Sequence, residues 1–114
     1  MKSVVISLSL VALLFLVNSC NKCNNDDPTA RVVNNGTSAA NLQITSFDGN
    51  IVSITDLEKG FISSENSYAP GTATLSGSIE GIQLTETLDM SECTAYDVTI
   101  TSDNKIVVFS QNKN

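Results

Sequence analysis

Thr72-Ala73-Thr74-Leu75-Ser76-Gly77-Ser78-Ile79-Glu80-Gly81-Ile82-Gln83-Leu84-Thr85-Glu86-Thr87-Leu88 decides the fold of this 114-residue chain. Successive side chains of a strand point to opposite faces, so a pattern of period two marks a half-buried strand. Ala73, Leu75, Gly77 and Ile79 share one face, with Thr74, Ser76 and Ser78 opposite. Glu80-Gly81 then turns the chain; glycine takes the backbone angles of a tight turn at no steric cost. Beyond it Ile82, Leu84 and Leu88 alternate with Gln83, Thr85 and Thr87. Glu86 falls on the apolar face, which points to an edge strand or a bulge.

The same grammar extends upstream. Residues 30–34 read as a strand with Val32 and Val33, broken by Asn34-Asn35-Gly36. Residues 39–47 place Leu42 and Ile44 on one side and Gln43 and Thr45 on the other. Asp48-Gly49-Asn50 is a hairpin signal, and 51–55 returns antiparallel. Asp56-Leu57-Glu58-Lys59-Gly60 reads as a loop, 61–69 as a fourth strand, and Pro70-Gly71 as a turn.

Downstream, 89–93 is irregular, with room for one helical turn. Residues 95–101 alternate most cleanly: Tyr96, Val98 and Ile100 inward, Asp97, Thr99 and Thr101 outward. Asp103-Asn104 makes the last hairpin and 105–110 closes the domain. Seven or eight short antiparallel strands within residues 29–114 predict an all-β chain with a single antiparallel β-sandwich. Each sheet then has one buried and one wet face. A single β-barrel is the alternative. With no Trp in the chain, a Cys…Trp…Cys immunoglobulin core is excluded.

Residues 1–19 stand outside this pattern. Met1-Lys2 gives a positive start, and Val4 to Val17 is apolar apart from Ser7 and Ser9. As a helix it would span only about 21 Å at ~1.5 Å per residue, short of a hydrocarbon core of about 30 Å. A short apolar run with that flank is a signal peptide rather than a lasting membrane span. The string Leu16-Val17-Asn18-Ser19-Cys20 resembles the lipobox at which bacterial lipoprotein signals are cut and acylated. The resemblance implies a mature chain that starts at Cys20 and is lipidated there, the palmitate-type modification. A plain secretory signal is the alternative. Two acyl chains anchor firmly, since each buried CH2 contributes about 0.8 kcal/mol.

Residues 20–28 then form a polar tether ending at Pro28. It contains no aliphatic residue and is expected to be a flexible spacer. Asp26-Asp27 resembles the surface-export signal of some Gram-negative lipoproteins, and equally reads as a solvated linker. Asn21, where an Asp would signal inner-membrane retention, favours the outer membrane.

Three cysteines occur; with Cys20 lipidated, Cys23 and Cys93 remain. In an oxidising compartment they are expected to pair. The alternative is a tether thiol and a buried free cysteine. Beyond residue 19 five basic residues face twelve acidic ones, a net charge of −7. Such a chain repels phosphate backbones, so nucleic acid is excluded as a partner.

Ala30-Arg31-Val32-Val33-Asn34-Asn35-Gly36 and Tyr68-Ala69-Pro70-Gly71-Thr72-Ala73-Thr74-Leu75 together resemble a known pattern. They are similar to small bacterial lipoprotein and surface-protein domains of unknown function with an immunoglobulin-like or prealbumin-like sandwich. The resemblance implies a fold and an envelope location, and it transfers no catalytic residue.

Catalysis finds few candidates. No histidine exists to activate Ser or Cys, and zinc lacks ligands. Glu80, Glu86, Asp89 and Glu92 are the carboxylates a glycosidase-type hydrolase would need; solvated acids near loops is the simpler reading. Asp48, Asn50 and Asp56 are oxygen donors for calcium, or turn formers. Asn35-Gly36-Thr37 matches a glycosylation sequon, or is turn chemistry. Phe47, Phe61 and Tyr68 form a binding patch or pack in the core. No cofactor is expected. The sequence thus predicts a lipid-anchored, non-catalytic envelope module. It binds the membrane through its anchor and a protein or glycan through its sandwich. A small carboxylate hydrolase and an accessory subunit of a surface transport or secretion system are the alternatives.

Overall fold

The computed structural model describes residues 23–113. The expected signal peptide and Cys20 lie outside the described residues. The strands are β1 (Thr29–Asn34), β2 (Ala40–Thr45), β3 (Ile51–Leu57), β4 (Asn66–Ser67), β5 (Gly71–Ile79), β6 (Ile82–Met90), β7 (Thr94–Ile100) and β8 (Ile106–Asn112). They form two four-stranded sheets, sheet I in the order β4-β1-β7-β8 and sheet II in the order β3-β2-β5-β6. The fold is the expected β-sandwich. The first two strands sit in opposite sheets, whereas the constant-type immunoglobulin order places them side by side. The immunoglobulin-like description therefore holds for two packed, mostly antiparallel sheets and not for strand order.

The two sheets face each other through their even or odd strand positions, as the alternation demands. Val32, Ile44, Leu75, Ile79, Val98 and Ile100 are each under 2% exposed. Fully burying one such side chain stabilises by about 1.5–3 kcal/mol. Glu86 is exposed on β6, which is an edge strand paired only with β5, in unbroken register from Gly71↔Met90 to Ile79↔Ile82. Of the two devices expected for that residue, the edge is the one used.

Three local expectations are corrected. Residues 61–69 pair as a strand only at 66–67 and through a bridge between Val33 and Ile62. Between them the Ser63 hydroxyl accepts the Val32 N–H at 2.8 Å and donates to the Ser64 carbonyl. A serine side chain has thus taken the place of a backbone acceptor and broken the ladder. Residues 89–90 extend β6 instead of starting a helical turn, because Met90 is buried opposite Gly71. Finally, β1 runs parallel to β7, from Thr29↔Ala95 to Asn34↔Ile100. Only hairpin neighbours must be antiparallel; strands joined by a long crossover are free to align.

That parallel pair sets the polarity of the molecule. β1 and β7 begin at the same end, so the segments leading into them are neighbours. Cys23 and Cys93 form a disulfide there, with Cα atoms 5.8 Å apart. The Cys93 N–H donates to the Asp26 carbonyl at 2.8 Å, and Tyr68 N–H to the Pro28 carbonyl at 3.0 Å. Lys113 Nζ reaches the Asp27 carbonyl at 3.1 Å. Residues 23–28 are therefore fastened along the domain, where a free spacer was expected. We call this end, where the disulfide anchors residues 23–28 to the domain, the anchor pole and the opposite one the far pole.

Candidate functional site

Sheet II has an outward face built almost entirely from neutral polar side chains. The strand registers set it out in rows. Gln83, Ser78 and Asn41 lie side by side near the far pole. The next row is Thr85, Ser76, Gln43 and Ser53. Thr87, Thr74, Thr45 and Ile51 follow, and Asp89 beside Thr72 completes the face at the anchor pole. Rows are about 7 Å apart along a strand and neighbours about 4.8 Å apart across strands. The charges are at the corners: Asp56 in the bulge beside Asn41, and Asp89, whose Oδ1 already accepts the Thr72 hydroxyl at 2.7 Å. Elsewhere Gln43 reaches Ser53 only at 3.5 Å.

A trough of about 320 Å3 crosses this face, with Leu42, Ile54 and Gly77 in its floor and Asn41, Gln43 and Ser76 on its walls. Its shape comes from the backbone. The β2–β3 register shifts between Ala40 and Leu42. A Cβ at residue 77 would overlap the Asn41 carbonyl oxygen, so only glycine fits where the bulged strand crosses. Asp56, with φ of 50°, completes the bulge by donating its N–H to Asn41 Oδ1 at 2.8 Å.

Phe47 stands at the anchor-pole border of the face and is 69% exposed. Its ring lies on the backbone of Gly71: a Cβ there would come within 2.6 Å of Phe47 Cγ. Of the three aromatics proposed as a patch, the structure separates them. Phe47 is at one pole, Phe61 is 62% exposed beside β1 at the other, and Tyr68 is in the core.

The outward face of sheet I is different in kind. Arg31 pairs with Asp97 at 2.8 Å between partly exposed side chains, and that hydrogen bond raises the Arg31 pKa. Such a pair contributes at most about 1 kcal/mol. Exposed Val107 and Phe109 flank it on β8.

The remaining candidates disperse. Glu86 and Asp89 are three positions apart on one strand, hence on opposite faces. Glu80 accepts the Thr37 hydroxyl at 3.0 Å at the far pole, and Glu92 lies in the β6–β7 turn at the other. Asp48 and Asn50 occupy the β2–β3 turn, while Asp56 is at the other end of β3, roughly 17 Å along at ~3.3 Å per residue. Both Asp48 oxygens are occupied: Oδ1 accepts from Ser46 Oγ and Asn50 N, and Oδ2 from Asn50 Nδ2. The Ser46 bond, followed by the backbone bond from Asn50, lowers the Asp48 pKa. Among the described residues no group of three His, Cys, Asp or Glu is placed to hold a metal ion. Nor is any helix there long and apolar enough to cross a membrane. In the sequon, Thr37 Oγ1 is engaged with Glu80 and Asn104.

One residue was missed as more than a turn former. Asn34 is fully buried at the end of β1. Its Nδ2 donates to the Ser38 and Leu57 carbonyls, and its Oδ1 accepts the Gly36 N–H, all at 2.8 Å. It braces the β1–β2 loop and the end of β3 at the far pole. Its position on the inward face of β1, two after Val32, was the available signal.

No protein-family model and no curated protein matches the chain. Among solved structures it is similar to a protein from Eubacterium rectale determined by NMR. The TM-score is 0.53 at 17% identity, covering 76% of this chain and 90% of that one. It is also similar to the C-terminal domain of AlgF from P. aeruginosa, with a TM-score of 0.50 at 14% identity, covering 76% and 98%. At such identities the likeness is one of fold: this chain folds as a small β-sandwich domain of the same general kind.

Proposed function

We propose that this chain is a lipoprotein of the bacterial cell envelope. It is anchored in the outer membrane through acyl chains on Cys20 and acts without catalysis as a binding module. The observation that carries the reading is the Cys23–Cys93 disulfide. Disulfides persist in oxidising compartments and are rare in the cytosol, which agrees with export directed by the N-terminal segment. The bond also gives the anchor a mechanical sense. Only Asn21 and Lys22 separate Cys20 from Cys23, a reach of at most about 10 Å. The anchor pole is thus held at the membrane surface, with the strands rising from it.

Binding in place of chemistry is supported by the dispersal of the four candidate carboxylates: Glu80 and Glu92 lie at opposite poles, and Glu86 and Asp89 on opposite faces of β6. A hydrolase of the two-carboxylate kind needs its pair about 5–10 Å apart across one site. The partner is a protein or a glycan, and the charge of the chain disfavours phosphate polymers.

Metabolic labelling with a palmitate analogue tests the anchor. Full-length protein is expected to take up label and to lose it in Cys20→Ala, which accumulates uncut. Normal maturation of Cys20→Ala would overturn the reading.

A further inference from the structure

We infer that the outward face of sheet II binds a neutral polysaccharide; this rests on the binding-module reading above. The argument starts from charge. The chain has 12 acidic residues, yet the three rows from Gln83 to Ile51 contain none, and no base either. A partner of either sign finds no complement there. An anionic polymer meets no cation, and a cationic peptide meets carboxylates only at two corners, at Asp89, which Thr72 already occupies, and at Asp56 in the bulge beside Asn41.

Hydrogen-bonding chemistry narrows the class further. Serine and threonine hydroxyls donate and accept, as do the two ends of Gln and Asn. An array of them matches a ligand whose own groups are hydroxyls of either polarity, as sugar rings are. Protein partners select otherwise: interface cores are enriched in aromatics, Met and Arg and depleted in Ser. A lipid surface would need a contiguous apolar patch, and the face has only Ile51 within its rows.

Geometry supplies the third element. The trough over Gly77 is open and about 320 Å3 in volume, suited to a chain lying across strands instead of a small molecule enclosed in a cavity. At the anchor-pole border of the face, beyond the Thr87, Thr74 and Thr45 row that separates it from the trough, the Phe47 ring has one side on Gly71 and is 69% exposed. An aromatic face fixed in this way is a platform for the C–H face of a sugar ring. A sugar stacked on Phe47 would be followed by others hydrogen-bonded along Thr74, Ser76 and Gln43.

The test is affinity electrophoresis of the full chain in mild detergent through gels containing dextran or dextran sulfate. Sedimentation with cellulose, chitin and mannan accompanies it. Retention by at least one neutral polymer, and not by dextran sulfate, is expected. Phe47→Ala and Ser76→Glu should each weaken it tenfold or more, and Arg31→Ala, on the opposite sheet, should leave it within twofold. Phe47 is exposed enough for its variant to keep the fold, which the intact disulfide and circular dichroism would verify. Retention by none of the neutral polymers would overturn the inference, as would equal retention by dextran sulfate or indifference to both variants. Polysaccharide retention with absent lipid labelling would overturn the anchor alone, and the converse this inference alone.

Discussion

The two poles of the sandwich are closed by different chemistry. The anchor pole is closed covalently, by Cys23–Cys93 across a sequence separation of 70 residues. The far pole is closed by side-chain amides: Asn34 braces its own loop and the end of β3. Asn104 joins the last hairpin to Thr37 through its Oδ1 and Nδ2. A disulfide stabilises chiefly by restricting the unfolded chain; a buried amide stabilises by satisfying groups that folding has removed from water. The first end stays joined even in the unfolded chain, and the second holds its loops only while the fold is intact.

Removing the disulfide should break the comparison most severely. In the chain-entropy model a loop of this length is worth about 4 kcal/mol, a large share of the ~5–15 kcal/mol typical of a whole domain. Urea unfolding of Cys23→Ala with Cys93→Ala should show a loss of that order. The far-pole amides of Gly36 and Thr37 should still be protected in hydrogen exchange under folded conditions. A loss below about 1 kcal/mol would mean that the hydrogen bonds from Cys93 N and Lys113 Nζ close this pole by themselves.

Asn34→Ala should follow at about 3 kcal/mol, because it strands the Gly36 N–H and the Ser38 and Leu57 carbonyls, and each buried orphan costs about 1–3 kcal/mol. For a domain this size the melting temperature falls by about 4–8 °C per kcal/mol. The loss should be the same in reduced and oxidised protein, since the two poles share no contact and distant effects add. Strong coupling between Asn34→Ala and the cysteine variant would show that the poles are not independent.

Two buried tyrosines sharpen the same contrast within the core. Tyr96 Oη accepts the Ser91 N–H at 2.8 Å and donates to the Asp89 carbonyl at 3.4 Å, tying down the β6–β7 turn that carries Cys93. Tyr68, 4% exposed, has an Oη with no hydrogen-bond partner among the described residues, and burial raises its pKa. Tyr96→Phe should therefore cost about 1 kcal/mol, and Tyr68→Phe should cost nothing or stabilise by up to about 1 kcal/mol. Thermal melts of the two variants side by side would decide it; an equal loss in both would show that the Tyr68 hydroxyl is satisfied.

What the sequence made legible follows from how local each signal is. Period-two alternation in 72–79 and 95–101 is a property of one strand, and both strands formed there to within a residue, although Thr99, read as outward, is buried. Twin turn signals at Asp48-Gly49 and Asp103-Asn104 were equally local and equally sound. The fourth strand failed because its pairing was decided by one serine hydroxyl competing for Val32 N–H, a contact 31 residues distant. The parallel β1–β7 pair and the brace at Asn34 are likewise long-range, and no window of neighbouring residues contains them. The uncharged face of sheet II was visible as Thr and Ser at alternate positions. Its extent across four strands required the registers.

The twin turns give the smallest and most exact comparison of the poles. In the anchor-pole turn Ser46 N–H donates to the Asn50 carbonyl at 2.8 Å and Ser46 Oγ to Asp48. In the far-pole turn Thr101 N–H donates to the Lys105 carbonyl at 2.8 Å and Thr101 Oγ1 to Asp103. In each case the hydroxyl is the main cause of a lowered Asp pKa. A carboxyl with a lowered folded pKa contributes stability that is complete above the unfolded pKa, about 3.9 for Asp. That stability is lost as pH falls through the folded value. Asp48→Asn and Asp103→Asn should each lower the melting temperature slightly at pH 7, and both differences from the parent should shrink as pH falls below about 3.9. Salt separates the two. The attraction of Lys105 also lowers the Asp103 pKa, and an exposed attraction of that kind is screened as the Debye length shrinks to about 3 Å at 1 M. Molar salt should therefore narrow the Asp103→Asn difference more than that of Asp48→Asn. Equal narrowing at both turns would show that hydrogen bonding alone sets the two carboxyls, and that the poles differ in their large terms only.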